Sequence, residues 1–171
     1  MAHVVNKIHS SRGPIASSLD RPWKPNGTAV VLAPGQGYHR ELPLLKQGAQ
    51  ALVKAGFHAV RFDWRYQTAG GKPSAGLKEE RLDLKAAVLF ARSIEGVDRI
   101  ILAGKSMGAG LALDFVCEDR RFAALALMTL PIRPPAATVA DKLARVKPPV
   151  LIINASSDPL CDLKTLFQVA Q

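Results

Sequence analysis

The sequence predicts a three-layer α/β fold, a mostly parallel sheet flanked by helices. Three observations predict it. Short apolar runs recur at 28–33, 58–64, 99–103, 123–130 and 149–154, the first of them rich in β-branched residues. Segments with helical periodicity separate them. The apolar runs are continuous rather than alternating, as expected of strands covered on both faces.

TAVVLA (28–33) reads as the first buried strand, broken by Pro34-Gly35-Gln36-Gly37. Residues 41–54 read as a helix with Leu42, Leu45, Ala49 and Leu52 on one face and Gly56 closing its end. His58 to Trp64 is the next strand, followed by a Gly/Pro-rich loop at 69–76. A long helix then runs to about Ile94, with Ala86, Leu89, Phe90 and Ile94 at helical spacing. Arg99 to Ala103 is a buried strand leading into Gly104-Lys105-Ser106-Met107-Gly108. The helix after it carries Gly108, Leu111, Ala112 and Phe115 on one face, small enough to lie close to a sheet. Residues 123–130 form a strand by context, although AALALMTL alone also suits a helix. A short proline-containing connection at 132–147 holds one helix near Thr138 to Val146 and leaves no room for a large lid. PVLIIN (149–154) is a buried strand, Asp158-Pro159 follows it, and a final helix begins at Asp162 with Leu163, Leu166, Phe167 and Ala170 on one side. Residues 1–27 are expected to form a hairpin on the sheet edge, with Val4, Val5 and Ile8 in one strand.

One domain is expected over residues 1–171, at 48% hydrophobic content and therefore with a real core. The formal net charge is +9, but the basic residues are scattered and the longest run is Arg120-Arg121. No nucleic-acid motif accompanies them, so no nucleic-acid partner is expected. The charge favours acidic substrates, yet nothing in the sequence locates it at a site. Cys117 and Cys161 form neither a CxxC nor a zinc spacing, so no metal is expected and reduced thiols are. No signal-peptide pattern opens the chain, and no apolar run approaches the roughly 20 residues of a membrane helix. The expectation is a soluble, cytoplasmic protein.

The sharpest motif is Gly104-x-Ser106-x-Gly108, between a buried strand and an amphipathic helix. That is the context of a nucleophile elbow, in which a tight turn lifts a serine to the C-terminal end of a parallel sheet. Two nucleotide motifs fail. A P-loop needs glycine where Arg99 stands, and a dinucleotide fingerprint opening at Gly35 needs glycine where Arg40 stands. No cofactor is expected. An oxyanion beside Ser106 would meet the backbone N–H of Met107, at the positive end of the following helix. The loop after the first parallel strand supplies a second donor, Gln36. Asp158, after a later strand, fits the acid in the order serine, acid, histidine. Asp162 reads as the cap of the final helix, and Asp63 either lines the site or makes a structural hydrogen bond.

With VLAPGQG at 31–37, AVRFDW at 59–64, AGKSMGAG at 103–110 and VLIINASSDPLC at 150–161, the chain resembles the α/β-hydrolase superfamily. More narrowly, it resembles the small branch of testis-expressed protein 30 and the hydrolase-like domain of NSL-complex subunit 3, related to dienelactone hydrolases. The resemblance implies an eight-stranded hydrolase fold, Ser106 as nucleophile, Asp158 as acid, and the Gln36 and Met107 amides as oxyanion hole. It departs at Pro34, where relatives often carry histidine.

The resemblance also implies a histidine after the acid. The four histidines are His3, His9, His39 and His58, all before it. His58 is expected at the end of the sheet away from Ser106, and His39 lies just past the oxyanion loop. Gln171 falls inside an apolar-periodic helix without a cap. The expectation is therefore truncation before the last strand and helix, with the catalytic histidine missing and PVLIIN left as an open edge suited to homodimer formation. Two functions follow. The first is an esterase-like hydrolase forming an acyl-enzyme on a small acyl substrate, with doubtful activity in this 171-residue chain. The second is a catalytically inactive hydrolase-like binding or scaffold protein.

Overall fold

The computed structural model describes residues 2–10, 12–132 and 137–169. Its strands are β1 (Ala2–Ile8), β2 (Ile15–Arg21), β3 (Thr28–Ala33), β4 (His58–Phe62), β5 (Arg99–Lys105), β6 (Ala124–Met128) and β7 (Val150–Ile153). Its helices are α1 (Pro43–Lys54), α2 (Arg65–Thr68), α3 (Lys78–Arg92), α4 (Met107–Glu118), α5 (Ala137–Arg145) and α6 (Leu163–Val169). The strands form one sheet in the order β1-β2-β4-β3-β5-β6-β7. β3 to β7 run parallel, while β1 pairs β2, and β2 pairs β4, in antiparallel fashion. The architecture is a mostly parallel, helix-flanked sheet, with seven strands among the described residues rather than eight.

From β3 the chain steps outward to β4, then crosses back to place β5 on the other side of β3. Strand order thus reverses between β3 and β5, and open α/β sheets bind ligands in the crevice beyond the carboxyl ends of the strands at such a point. Continuous apolar runs make these strands because successive residues serve opposite faces. Val30 and Leu32 pack with Leu45, Ala49 and Val53 of α1. Val31 and Ala33 belong to the larger core on the other face, with Leu84 and Ala87 of α3 and Leu113 of α4.

Several elements differ from the expectation. β4 ends at Phe62, not Trp64. The expected 69–76 loop is preceded by α2 and runs into a short 3₁₀ turn at Ala75–Leu77. On α3 the buried stripe is Leu84, Ala87, Val88 and Ala91, whereas Leu89 is 53% exposed. The sheet accepts the small residues, and the bulky one rotates out. β7 is not buried: Leu151 is 57% and Ile153 52% exposed. It is the outermost strand, and an apolar groove of about 600 Å³ lies between it and α1. Ala170 lies outside the described residues. No described helix is long and apolar enough to cross a membrane.

Candidate active site

The serine turn is built by close packing. β5 is paired on both sides, Gly104 lying level with Ala33 of β3 and Leu127 of β6. Ser106 follows directly and caps α4 with φ +50° and ψ −114°. For a non-glycine residue this backbone costs about 1–3 kcal/mol and persists only where surroundings over-determine it. Here they do. The Ser106 N–H donates to Met128 O at 2.9 Å, and its carbonyl accepts from Ala109 N at 2.9 Å and Gly110 N at 3.1 Å. A side chain at 104 would lie 2.6 Å from Ala109 N, and one at 108 would lie 2.5 Å from Pro34 O. The two glycines let α4 start against the tips of β3 and β5. Met107 opens that helix, so its N–H has no intrahelical acceptor, and no described residue accepts from it.

The loop after β3 approaches from the other side of the crevice. A Cβ added at Gly35 would sit 3.4 Å from Ser106 Cβ and 3.6 Å from Lys105 Nζ. The loop turns tightly: Tyr38 N–H donates to Gly35 O at 3.1 Å, with Gly37 at φ +67°. That φ suits glycine at the third position of a type II turn. Gly37 N–H donates to the Tyr66 hydroxyl at 3.3 Å. The Gln36 N–H, between these anchors, has no acceptor among the described residues. The loop therefore presents a free amide at 36 beside a serine whose helix presents one at 107.

A buried polar frame fixes this loop. Trp64, fully buried, donates its indole N–H to Pro34 O at 3.0 Å. Asp63 accepts from Arg40 N–H at 2.7 Å, and its other oxygen pairs with the Arg40 guanidinium. Asp63 thus takes the structural alternative offered by the sequence. Arg61, 2% exposed, donates to Arg40 O at 2.6 Å and to Asp20 Oδ2 at 3.0 and 3.1 Å, and also reaches Glu41 at 3.1 Å. Burial raises the Glu41 carboxyl pKa and Arg61 lowers it, with a net position below the ordinary value. Burial likewise pushes the Tyr66 phenol up, so its hydroxyl stays protonated. Sequence reasoning missed Tyr38, Tyr66, Lys105, Arg40 and Arg61. The only signal was arginine inside an otherwise apolar strand, which implies a buried partner.

Asp158 lies in the turn beyond β7, whose end at Ile153 is level with Met128, itself level with Lys105. It is therefore at the same edge of the sheet as Ser106. Asp158 Oδ1 accepts Leu160 N–H at 2.9 Å, and no described contact joins it to Ser106. Asp162 caps α6 as expected, accepting Thr165 N–H at 2.7 Å. The histidines lie elsewhere. His3 pairs with Asp20 at 2.6 Å on β1. His58 starts β4 at the far end of the sheet, its imidazole pKa lowered by burial and by Arg21. His9 and His39 are exposed. Among the described residues no His, Cys, Asp and Glu cluster could hold a metal ion.

A parallel sheet whose central strand enters a helix through a glycine-flanked serine of positive φ, with a second loop closing on that serine, is the architecture of the α/β hydrolases. The chain belongs to that family: the model described as alpha/beta hydrolase domain matches residues 26–171. The quorum-quenching protein AidA of Acinetobacter baumannii (strain MDR-ZJ06) is 34% identical over 101 residues, which cover 56% of this chain and 33% of that protein. The match thus spans only about a third of that curated relative's length. Among solved structures, the Pyrococcus furiosus esterase Pf2001 superimposes with a TM-score of 0.80 at 19% identity, over 99% of this chain and 75% of that one. XC6422 from Xanthomonas campestris, described as an α/β serine hydrolase without lid, gives 0.79 at 21% identity, over 97% and 77%. Est1E from Butyrivibrio proteoclasticus gives 0.78 at 17% identity, over 96% and 83%. At these identities the three structures establish the fold.

Proposed function

We propose that the protein is a serine hydrolase acting on an ester or thioester of a small acid through an acyl-enzyme at Ser106. The observation that carries this reading is the glycine-locked turn holding Ser106 at positive φ beside two amides without described acceptors. In this reading Ser106 Oγ attacks the acyl carbonyl carbon, and the carbonyl electron pair moves onto oxygen. The Gln36 and Met107 N–H groups receive that oxyanion, a contribution of several kcal/mol in related chemistry. A histidine takes the Oγ proton and passes it to the leaving alcohol or thiol, Asp158 orients that histidine, and water then cleaves the acyl-enzyme. The narrower kinship with the testis-expressed protein 30 branch and a cytoplasmic setting belong to the same proposal.

The test is labelling of the full-length protein by a serine-directed fluorophosphonate, with Ser106→Ala as control. Label on Ser106 that the control loses is expected. Absence of Ser106-dependent label refutes the reading.

One observation favours a second reading, a hydrolase-like binding or scaffold protein: among the described residues no histidine hydrogen-bonds to Ser106 or Asp158. A serine hydrolase without its base loses about 10⁴-fold or more in rate. The 171-residue chain is then nearly inactive on 4-nitrophenyl acetate. Brisk Ser106-dependent turnover by this chain overturns that expectation and points to His39.

A further inference from the structure

We propose that Lys105 forms an anion-recognition subsite beside Ser106, selecting acyl substrates that carry a carboxylate. The inference rests on the serine-hydrolase reading for the chemistry, but on separate observations for the subsite.

Lys105 immediately precedes Ser106, and its ammonium reaches the crevice. Its Nζ lies 3.6 Å from the point where a Gly35 side chain would begin, and Ser106 Cβ lies 3.4 Å from that same point. The cation and the serine thus flank one small space at the carboxyl ends of β3 and β5. The ammonium also sits 4.8 Å from the centroid of the Tyr38 ring. That ring is a fixed platform, because the Tyr38 hydroxyl accepts Leu44 N–H at 3.1 Å and its own N–H donates to Gly35 O at 3.1 Å. A cation over an aromatic face is attracted by the ring quadrupole. The contact holds the ammonium without neutralising it.

The neighbouring cations are satisfied. Arg40 pairs with Asp63, Arg61 with Asp20 and Glu41, and Lys46 with Glu41. No carboxylate among the described residues pairs with Lys105. An ammonium has three donors, and no described residue accepts a hydrogen bond from this one. The N-terminus of the 12-residue α4 adds positive potential at the same place. The net charge of +9, which the sequence could not localise, has one unpaired member beside the serine. A carboxylate is the acceptor chemistry that completes it. Because Lys105 and Ser106 flank the same space, that carboxylate belongs on the acyl part of a small substrate, a few bonds from the reacting carbonyl, as in a monoester of a short dicarboxylic acid.

The experiment compares two phosphonofluoridates of equal chain length, one ending in a carboxylate and the other in a methyl group. Labelling rates at Ser106 are measured in the full-length wild type, Lys105→Met and Lys105→Arg. A titration of the 171-residue chain with monomethyl glutarate, followed by NMR, gives a reading independent of the chemistry. The wild type is expected to favour the carboxylate probe, and that ratio to fall about tenfold in K105M and recover substantially in K105R. The preference also weakens with added salt. A wild-type ratio near one, or a preference that K105M keeps, overturns the subsite while leaving the serine reading intact. If neither probe labels Ser106 but monomethyl glutarate binds and K105M abolishes that binding, the subsite stands and the hydrolase reading falls. Absence of both labelling and binding removes both.

Discussion

Gly108→Ala and Gly110→Ala are the same chemical change two residues apart in α4, and the structure assigns them opposite signs. A methyl group at 108 would lie 2.5 Å from Pro34 O and 2.8 Å from the Ala33 carbonyl carbon. Both neighbours are backbone atoms, so no side-chain rotation relieves the contact. Reaching a tolerable separation requires α4 and the tip of β3 to part by roughly 0.5–1 Å. β3 is held on both sides, by β4 and β5, and cannot easily yield. Overpacking of this kind costs about 1–3 kcal/mol, and a backbone clash falls at or above the upper end. The helix-propensity gain of roughly 1 kcal/mol for replacing glycine offsets part of it. The net expectation for G108A is a loss of about 2 kcal/mol. At 110, by contrast, the methyl group meets nothing within 4 Å. Only the propensity gain remains, and G110A is expected to be more stable by about 0.5–1 kcal/mol. Urea denaturation followed by circular dichroism reads both. With a slope of about 2 kcal/mol per molar, the midpoint falls by about 1 M in G108A and rises by a few tenths of a molar in G110A. Equal or higher stability of G108A refutes the claim that α4 is seated on the β3 tip through position 108.

Arg61→Leu removes the only described cation within reach of buried Asp20 apart from His3, and strips a donor from Arg40 O. Such orphaning costs about 3–5 kcal/mol, and adding Asp20→Asn should recover part of it, so the double variant is the more stable one by urea titration. A pH series tests His58. Its folded-state pKa is lowered, so near pH 6.5 the unfolded chain takes up a proton that the folded chain does not. Stability present above about pH 6.5 is then lost as pH falls towards 5, and His58→Phe should flatten that slope whatever its effect on absolute stability. An unchanged slope in urea midpoints at pH 5, 6 and 7 shows that His58 is not the titrating group.

The parts of this fold legible in sequence are those governed by local rules. Gly104, Ser106 and Gly108 announce the turn because the spacing and the flanking elements are contiguous. Asp162 announces a cap because its partner, Thr165, is three residues away. The exposure of β7 was not legible. PVLIIN is as apolar as TAVVLA, yet TAVVLA is buried throughout and β7 is largely exposed, because burial depends on which layers lie against a strand. Leu89 failed similarly, since two helical phases were compatible with α3 and the sheet selected the alanine-rich one. The frame of the site was illegible for a further reason. Arg61 finds Asp20 across 41 residues, and Lys105 finds Tyr38 only after β3 and β5 become neighbours. No window of sequence contains either pair.

The two halves of the crevice are fixed independently, and this explains where its tolerance lies. Ser106 is held from the β6 side, through Met128 O, and from its own helix. The Gln36 loop is held from the β4 side, through Trp64, Asp63 and Arg61. No described hydrogen bond joins Gln36 to Ser106 or Met107. Besides the Lys105 ammonium over the Tyr38 ring, the halves meet through close glycine contacts, Gly35 against Lys105 and Ser106, and Gly108 against Ala33 and Pro34. The spacing of the two unpaired amides is therefore set by van der Waals closeness between rigid supports, not by a hydrogen bond that could stretch. A hydrogen bond weakens gradually as its partners separate, whereas a glycine contact becomes a clash with the first added methyl group. The geometry around Ser106 should thus tolerate losses within either frame better than any side chain added where the frames touch.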